Sequence, residues 1–322
     1  MKIVASAGRE DIAVVYILEL DGGKWVECVE SVQPPIPREK KWVLLVSTMF
    51  GCPIGCKMCD AGGYYLGKPT QEEIISQIDF LVRKRFPDGC VPAQQFKIQF
   101  ARMGEPSLNN SVLDVLDKLP HLYHAPGLMP SISTVAPKGT QSFFNRLLDI
   151  KNEKYSGGHF QFQFSIHTTN PSLRDDLVPV RKWSFSEMSE YGARFFAPGD
   201  RKITLNFALA HGLPIDPEAL LSYFNPEIFL IKITPLNPTY RAAENQLSSY
   251  INPLKEGEDY DVVQQLRSAG YDVIVSIGAL EENLIGSNCG QYIRTHLLAT
   301  KQMDNGYTYR IQEHQPEPDP EQ

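Results

Sequence analysis

The feature that most narrows the fold is a repeated alternation of apolar runs with helix-patterned segments from Trp42 to Ile277. Strand-like runs fall at Trp42–Thr48, Gln95–Ala101, Met129–Val135, Phe160–His167, Lys202–Ala210, Phe229–Pro235 and Asp272–Ile277. Helical patterning lies between them. It is clearest over Gln71–Phe86, where Ile74, Ile78 and Leu81/Val82 recur at helical spacing and Thr70 with Glu73 makes a capping box. Such alternation builds parallel βα units. Six or seven units suit an open or closed barrel better than a short doubly wound sheet, and barrel chemistry sits at the C-terminal ends of the strands. Ahead of these units, Ile12–Leu20 and Lys24–Val32 flank Asp21-Gly22-Gly23 and read as a β-hairpin. The expected plan is therefore α/β. Residues 1–41 form a small N-terminal β-hairpin extension and Pro-rich loop (Gln33–Lys41), 42–300 a partial (βα)6-type barrel core, and 301–322 a C-terminal tail. The acidic, proline-rich end Gln312–Gln322 is expected to be disordered.

No apolar run approaches the roughly 18 residues that a membrane-spanning helix needs. Glu10 and Asp11 stand directly before the Ile12–Leu18 run, which argues against an export signal. A cytoplasmic location is expected. Lys+Arg 31 against Asp+Glu 38 gives a formal charge of −7. That balance argues against a broad phosphate-gripping surface, and a DNA duplex is not an expected partner. Six cysteines in a long chain read as metal binding or catalysis in a reducing compartment, not as a disulfide scaffold.

Three of those cysteines lie within eight residues, Cys52-Pro53-Ile54-Gly55-Cys56-Lys57-Met58-Cys59, directly after the first barrel strand. Gly51 and Gly55 let the backbone bend closely around one inorganic centre. A structural zinc usually takes four ligands, and a four-cysteine cubane is the usual electron carrier. Three cysteines leave one iron of a [4Fe–4S] cluster open, as a substrate-binding cluster requires. The plainer reading is a zinc knuckle borrowing His124 or His167. The spacing resembles the signature of the radical S-adenosylmethionine (SAM) superfamily. That resemblance implies a [4Fe–4S] cluster on Cys52, Cys56 and Cys59, with SAM chelating the open iron. It also implies reductive cleavage to a 5′-deoxyadenosyl radical, a partial (βα)6-type radical SAM barrel, and a reducing partner such as flavodoxin or ferredoxin.

Downstream, Met103-Gly104-Glu105-Pro106 places a carboxylate at the end of the second barrel strand, suited to an ammonium partner. Then come Ser131-Ile132-Ser133-Thr134, Ser165-Ile166-His167, Arg174-Asp175-Asp176-Leu177-Val178-Pro179, Pro235-Leu236-Asn237-Pro238 and Asn288-Cys289-Gly290-Gln291. The ordered series, from Asp11 to Leu298, resembles the radical SAM adenine methyltransferases that modify large-subunit ribosomal RNA and, in some members, transfer RNA. By that resemblance, Gly104, Glu105, Ser133, Ser165, His167 and Asn237 contact SAM. Val26-Glu27-Cys28-Val29 is similar to the family's Val-Glu-x-Val, implying Glu27 as proton acceptor. Cys289 matches the methyl-carrying thiol, a soft nucleophile. In the family that cysteine is methylated by one SAM, and the radical from a second SAM takes a hydrogen from the methyl group. The methylene adds to adenine, and a second cysteine releases the product. The plainer readings are Ser133 and Ser165 satisfying backbone at strand ends, His167 as a buried hydrogen-bonded ring, Glu27 as a solvated face charge, and Asn237 as a turn former.

The match departs from the family in four places. The releasing cysteine lies seven residues before the cluster in the family, and here that position is Leu45. Cys28, adjacent to Glu27 on a strand, points to the opposite face, and Cys90 lies in a loop at the bottom of the barrel. Only 41 residues precede Trp42, so the family's helical RNA-binding domain is not expected. Glu281-Glu282-Asn283-Leu284 stands where the family has an Arg-Gly-Asp-Asp-like stretch, and the net charge is negative, whereas phosphate binding gains from each Lys or Arg. The favoured expectation is a radical SAM, methyltransferase-like enzyme whose substrate is a nucleotide, an RNA or another small molecule. The alternatives are an RNA adenine C-methyltransferase with non-standard adduct resolution, and a non-enzymatic Fe–S or zinc scaffold or sensor.

Overall fold

The computed structural model describes residues 1–255 and 260–314. The chain opens with β1 (Lys2–Arg9), β2 (Ala13–Leu20) and β3 (Lys24–Ser31), an antiparallel meander. There follow β4 (Lys41–Val46), α1 (Gln71–Arg85), β5 (Gln95–Phe100), α2 (Ser111–Lys118), β6 (Leu128–Thr134), α3 (Gln141–Lys154) and β7 (Gln161–Ser165). Next come α4 (Pro171–Leu177), α5 (Phe185–Phe195), β8 (Ile203–Leu209), α6 (Pro217–Leu221), β9 (Phe229–Pro235), α7 (Tyr240–Glu244), α8 (Asp261–Ser268) and β10 (Val273–Val275). The last described elements are α9 (Leu280–Ile285), α10 (Ile293–Leu298) and β11 (Gln312–Glu313).

The strands form one sheet in the order β10-β9-β8-β7-β6-β5-β4-β3-β2-β1-β11. From β4 to β10 every pair is parallel. The expected succession of βα units is therefore present, as a partial barrel. No described helix is long and apolar enough to cross a membrane.

Two features differ from the sequence reading. The expected hairpin is present as β2 and β3, but β1 adds a third strand to it, and β3 pairs antiparallel with β4, Val29 opposite Leu45, so the extension continues the barrel wall. Residues 301–314 of the expected tail lie against that meander: Tyr307 is buried in a cluster with Ala5, Val15 and Ile17, and Met303, Tyr309 and Ile311 pack on it. Gln312–Glu313 pair with β1, and the His314 backbone N–H donates to Val4 O. Of the expected disordered segment, residues 315–322 lie outside the described residues.

Helix α1 shows how the outer layer holds the strands. Thr70 Oγ1 accepts from the Glu73 N–H, and Glu73 Oε2 accepts from the Thr70 N–H at 2.7 Å. A cap of this kind contributes about 1 kcal/mol. The helix buries Ile74, Ile78, Leu81 and Val82 against Trp42, Leu44 and Val46 of β4. Each such side chain contributes about 1.5–3 kcal/mol. Gln77, fully buried, accepts from the Ser47 N–H and donates to Ser47 O. These two bonds fix the backbone where β4 runs into the cysteine loop.

The strands alternate in a way that sets the interior. On β5, Phe96, Ile98 and Phe100 are buried toward the helices, whereas Gln95, Lys97 and Gln99 are partly accessible. On β9, Phe229, Ile231 and Ile233 are buried and Lys232 and Thr234 are not. The two-residue period of a strand puts the polar set on the opposite face. The outer layer is thus apolar and the lumen polar, unlike a barrel filled by branched aliphatic side chains.

Candidate active site

The cysteine loop folds back on itself immediately after β4. Gly51 has φ +81°, and a Cβ there would lie 2.2 Å from Tyr64 O, so only glycine fits. The Cys52 N–H donates to that same Tyr64 carbonyl. Remote segments then tie the loop down. Arg241 Nε donates to Cys56 O at 3.0 Å and its Nη2 to Gly55 O at 3.1 Å, while Thr239 Oγ1 donates to Met58 O. Asp60, next to Cys59, accepts from the N–H groups of Tyr240 and Arg241 and from Tyr307 Oη. From the other side the Lys57 N–H donates to Leu177 O, and Lys57 pairs with Asp176 of the Arg174–Pro179 motif.

Cys52, Cys56 and Cys59 line one cavity of about 300 Å3. Burial pushes the Cys52 thiol up to about 11 and Cys59 to about 12, and raises Cys56 well above the ordinary thiol value. Mutual repulsion adds to the rise at Cys56 and Cys59, because the sulfurs are near enough to oppose one another's ionisation. A polynuclear cation relieves such a set. Among the described residues no three His, Cys, Asp or Glu side chains are drawn tightly around one ion position. Three enclosed thiols are a donor set that suits a thiophilic centre, whether a zinc ion or an iron–sulfur cluster.

Gly104 and Glu105 follow β5. Gly104 has φ +101°, and a Cβ would sit 2.5 Å from Met49 Cβ, which seats this turn against the start of the cysteine loop. The Glu105 carboxylate is buried and held by four donors. Oε1 accepts from Thr134 Oγ1 at 2.5 Å, Ser107 Oγ at 2.7 Å and the Ser107 N–H, and Oε2 accepts from the Val135 N–H at 2.9 Å. Burial pushes its pKa up, and these bonds pull part of that rise back. Ser133 Oγ accepts from Gln163 Nε2 at 2.5 Å. His167 adopts φ +66° and accepts from the Ala208 N–H at Nδ1, 3.2 Å away, which puts the ring proton on Nε2. Burial pulls its pKa down to about 3, so the ring is neutral.

Cys289 arrives from the far end of the chain. Its segment docks directly on the cysteine loop: the Asp60 N–H donates to Gly290 O at 2.8 Å, and a Cβ on Gly290 would stand 3.9 Å from Cys59 Sγ. Asn237 Nδ2 donates to Cys289 O at 2.5 Å, and the thiol lies 3.4 Å from Ala101 O. Cys289 is open to the cavity and enclosed behind, and burial raises its pKa.

Gly104, Glu105, Ser133, Ser165, His167, Asn237 and Cys289 all line the cavity together with the three cysteines. Glu27 does not line it. Instead it is fully buried in an ion pair with Arg102, and its Oε1 accepts from the Ile293 N–H at 2.6 Å. Burial pushes the carboxyl up while Arg102 pulls it back. Leu45, the position of the family's second cysteine, lines the cavity wall. Cys28 is buried in the helix-side core and Cys90 is exposed, paired through its backbone with His124, so neither reaches the cavity. Sequence reasoning missed Arg102, Asp60, Arg241 and Lys232. The first two stand next to recognised motifs; the other two carry no local mark beyond a charge amid apolar neighbours.

Comparison with known proteins gives a family likeness. No family model matches the chain. Among curated proteins, the dual-specificity RNA methyltransferase RlmN of Marinomonas sp. (strain MWYL1) is 27% identical over 86% of this chain and 72% of its own length. The probable dual-specificity RNA methyltransferase RlmN of Synechococcus sp. (strain CC9902) is 23% identical over 92% of this chain and 80% of its own. The chain is radical SAM adenine methyltransferase-like. Other relatives of the same name are matched over less of their length, 55% in Nostoc sp. (strain PCC 7120 / SAG 25.82 / UTEX 2576). For the fold of this methyltransferase-like enzyme, a crystal structure of a radical SAM methyltransferase from Sphaerobacter thermophilus superposes with TM-score 0.66 at 20% identity. It covers 90% of this chain and 80% of that one. The fold is the partial radical SAM barrel.

Proposed function

We propose that Cys52, Cys56 and Cys59 hold a [4Fe–4S] cluster, and that SAM binds beside it against Gly104, Glu105, Ser133, Ser165, His167 and Asn237. We further propose that Cys289 is a methyl carrier or thiol relay acting on a substrate in the same cavity. When bound, the cluster and SAM supply a 5′-deoxyadenosyl radical by one-electron cleavage of the sulfonium. The single observation that carries this reading is the docking of the Cys289 segment on the cysteine loop, which puts four thiols around one cavity.

The chain's own groups have defined tasks in this scheme. Glu105, fixed by four donors, presents an immobile carboxyl to an ammonium group. Neutral His167 donates from Nε2. Asn237 and Arg102 grip the carbonyls of Cys289 and Asn288, holding the thiol in place. Lys232, Lys97 and Arg102 favour the Cys289 thiolate against its burial, which a nucleophilic sulfur needs. Glu27, gripped by Arg102 away from the cavity, is assigned to holding the Cys289 segment and not to proton transfer. With Leu45 in the wall, no described thiol besides the three assigned to the cluster lines the cavity with Cys289 to release a covalent product. The substrate therefore need not be the RNA of the relatives. A reducing partner such as flavodoxin or ferredoxin, and a cytoplasmic location, belong to this reading because the cluster needs a reducing compartment.

The test is anaerobic reconstitution. The reduced protein is expected to give an EPR signal that changes on adding SAM and to form 5′-deoxyadenosine. A tetrahedral zinc, or a signal indifferent to SAM, would overturn the reading. The relatives' names favour a second substrate assignment, an adenine-containing RNA; mass spectrometry of RNA after turnover separates the two, and unmodified RNA alongside abundant 5′-deoxyadenosine excludes it.

A further inference from the structure

The polar lumen contains two lysines that make no ion pair among the described residues. Lys232 of β9 lines the cavity. Lys97 of β5 lies two residues before Gln99, which lines it too, so both project from the same strand face. Among the described residues neither lysine makes an ion pair or a side-chain hydrogen bond, and each is partly accessible while otherwise enclosed by protein. Burial, followed by the charge of Lys232, pulls the Lys97 ammonium down to about 7, and burial lowers Lys232 as well. Lys41 and Arg201 add positive field to Lys97. Glu282 is the neighbouring carboxyl that acts on Lys232. Burial pushes it toward the neutral form, and its Oε1 accepts from Ser31 Oγ at 3.3 Å. Ser131, the register neighbour of Gln99 on β6, has a buried hydroxyl with no hydrogen-bond partner among the described residues.

We propose that this part of the lumen binds an oxyanion group, phosphate or carboxylate, of a small substrate, with Lys97 and Lys232 as its cationic contacts. The proposal rests on the reading of the cavity as the SAM and substrate site. Enclosed ammonium groups suffer lost hydration and the field of neighbouring cations, here Lys232 acting on Lys97 and Lys41 acting on both, and a bound anion relieves both. Lys232 and Lys97 also act on the Cys289 thiol, so a group held there sits within electrostatic reach of the carrier sulfur. A chain of net charge −7 that places cations inside its barrel favours a small anion over a nucleic-acid strand, whose binding draws on many outer cations.

The test uses anaerobic holoenzyme without reductant, so that SAM stays intact. Inorganic phosphate and malonate are titrated calorimetrically into wild type, Lys97→Met, Lys232→Met and Lys232→Arg. Wild type is expected to bind at least one of the two anions saturably. Each Met variant is expected to weaken that binding at least about ten-fold, and the Arg variant to retain it. Binding of phosphate alone or malonate alone tells which headgroup fits. No saturable binding of either, or binding unchanged in both Met variants, overturns the proposal. If a Met variant fails to fold by circular dichroism, the Gln variant at that position replaces it. Iron content and the SAM-dependent EPR change, measured on the same wild-type preparation, report on the cluster reading separately. Their loss with anion binding intact sinks that reading and not this one.

Discussion

Arg102 and Glu27 meet in a fully buried ion pair, Nε to Oε2 at 2.8 Å, and both use their remaining hydrogen-bonding capacity on the backbone around Cys289. Arg102 donates to Gly286 O and Asn288 O, each at 2.7 Å, and Glu27 accepts from the Ile293 N–H. One pair thereby joins β3, the end of β5 and the C-terminal segment.

Removing one partner leaves the other charged and enclosed. Arg102→Met is expected to destabilise the fold by about 3–5 kcal/mol, measured by urea unfolding. The double variant Glu27→Leu with Arg102→Met, which leaves no orphan charge, should lose clearly less. A double variant that is worse than the single would show that the pair does more than neutralise itself.

His167 gives a pH signature. Its folded pKa of about 3 lies below the ordinary 6.5 because of burial. The unfolded chain therefore binds the extra proton between these values. The stability contributed by the neutral ring is complete above about pH 6.5 and falls by up to about 1.4 kcal/mol per pH unit toward 3. Asparagine tolerates the left-handed backbone at this position. In His167→Asn, the stability lost between pH 7 and pH 5 should shrink by about 2 kcal/mol; equal losses in the two proteins would refute the assignment.

Gly104→Ala forces a methyl group into Met49 at a backbone angle that disfavours side chains. The expected cost is about 1–3 kcal/mol, read as a lowered Tm. Displacement of the adjoining Glu105 should weaken SAM binding as well. An unchanged Tm would mean that the turn relaxes freely.

Cys289→Ala should keep the iron and the formation of 5′-deoxyadenosine and lose any product carrying the methyl carbon. Isotope-labelled SAM with mass spectrometry makes the comparison. Full product yield from this variant would remove the thiol from the mechanism.

Much of this was readable in advance, for physical reasons. Strands β4 to β10 announce themselves because their helix-facing residues, such as Phe96, Ile98 and Phe100, are large and apolar. The first strand does not, since Ala5, Ser6, Ala7 and Gly8 are too small to show an alternation. The β3–β4 pairing is hidden because the proline-rich link between them carries no register signal. In the cavity, the three cysteines, Glu105, His167 and Cys289 stand at strand ends or in short motifs, where sequence order points to them. The partner of Glu27 was not readable: an ion pair between residues 27 and 102 depends on the sheet bringing β3 within reach of the end of β5 across β4. Lys97 and Lys232 were visible only as charges inside apolar strands, and their shared lumen emerges from the barrel.

The pairing of β1 with β11 and the packing of Ile285, Ile293 and Tyr307 on the meander have a consequence for synthesis. Strands β1 to β3 cannot bury this apolar face until Ile285, Ile293 and Tyr307 have been synthesised. Long-range closure of this kind slows folding, so the nascent meander must wait, exposed, for a segment made much later.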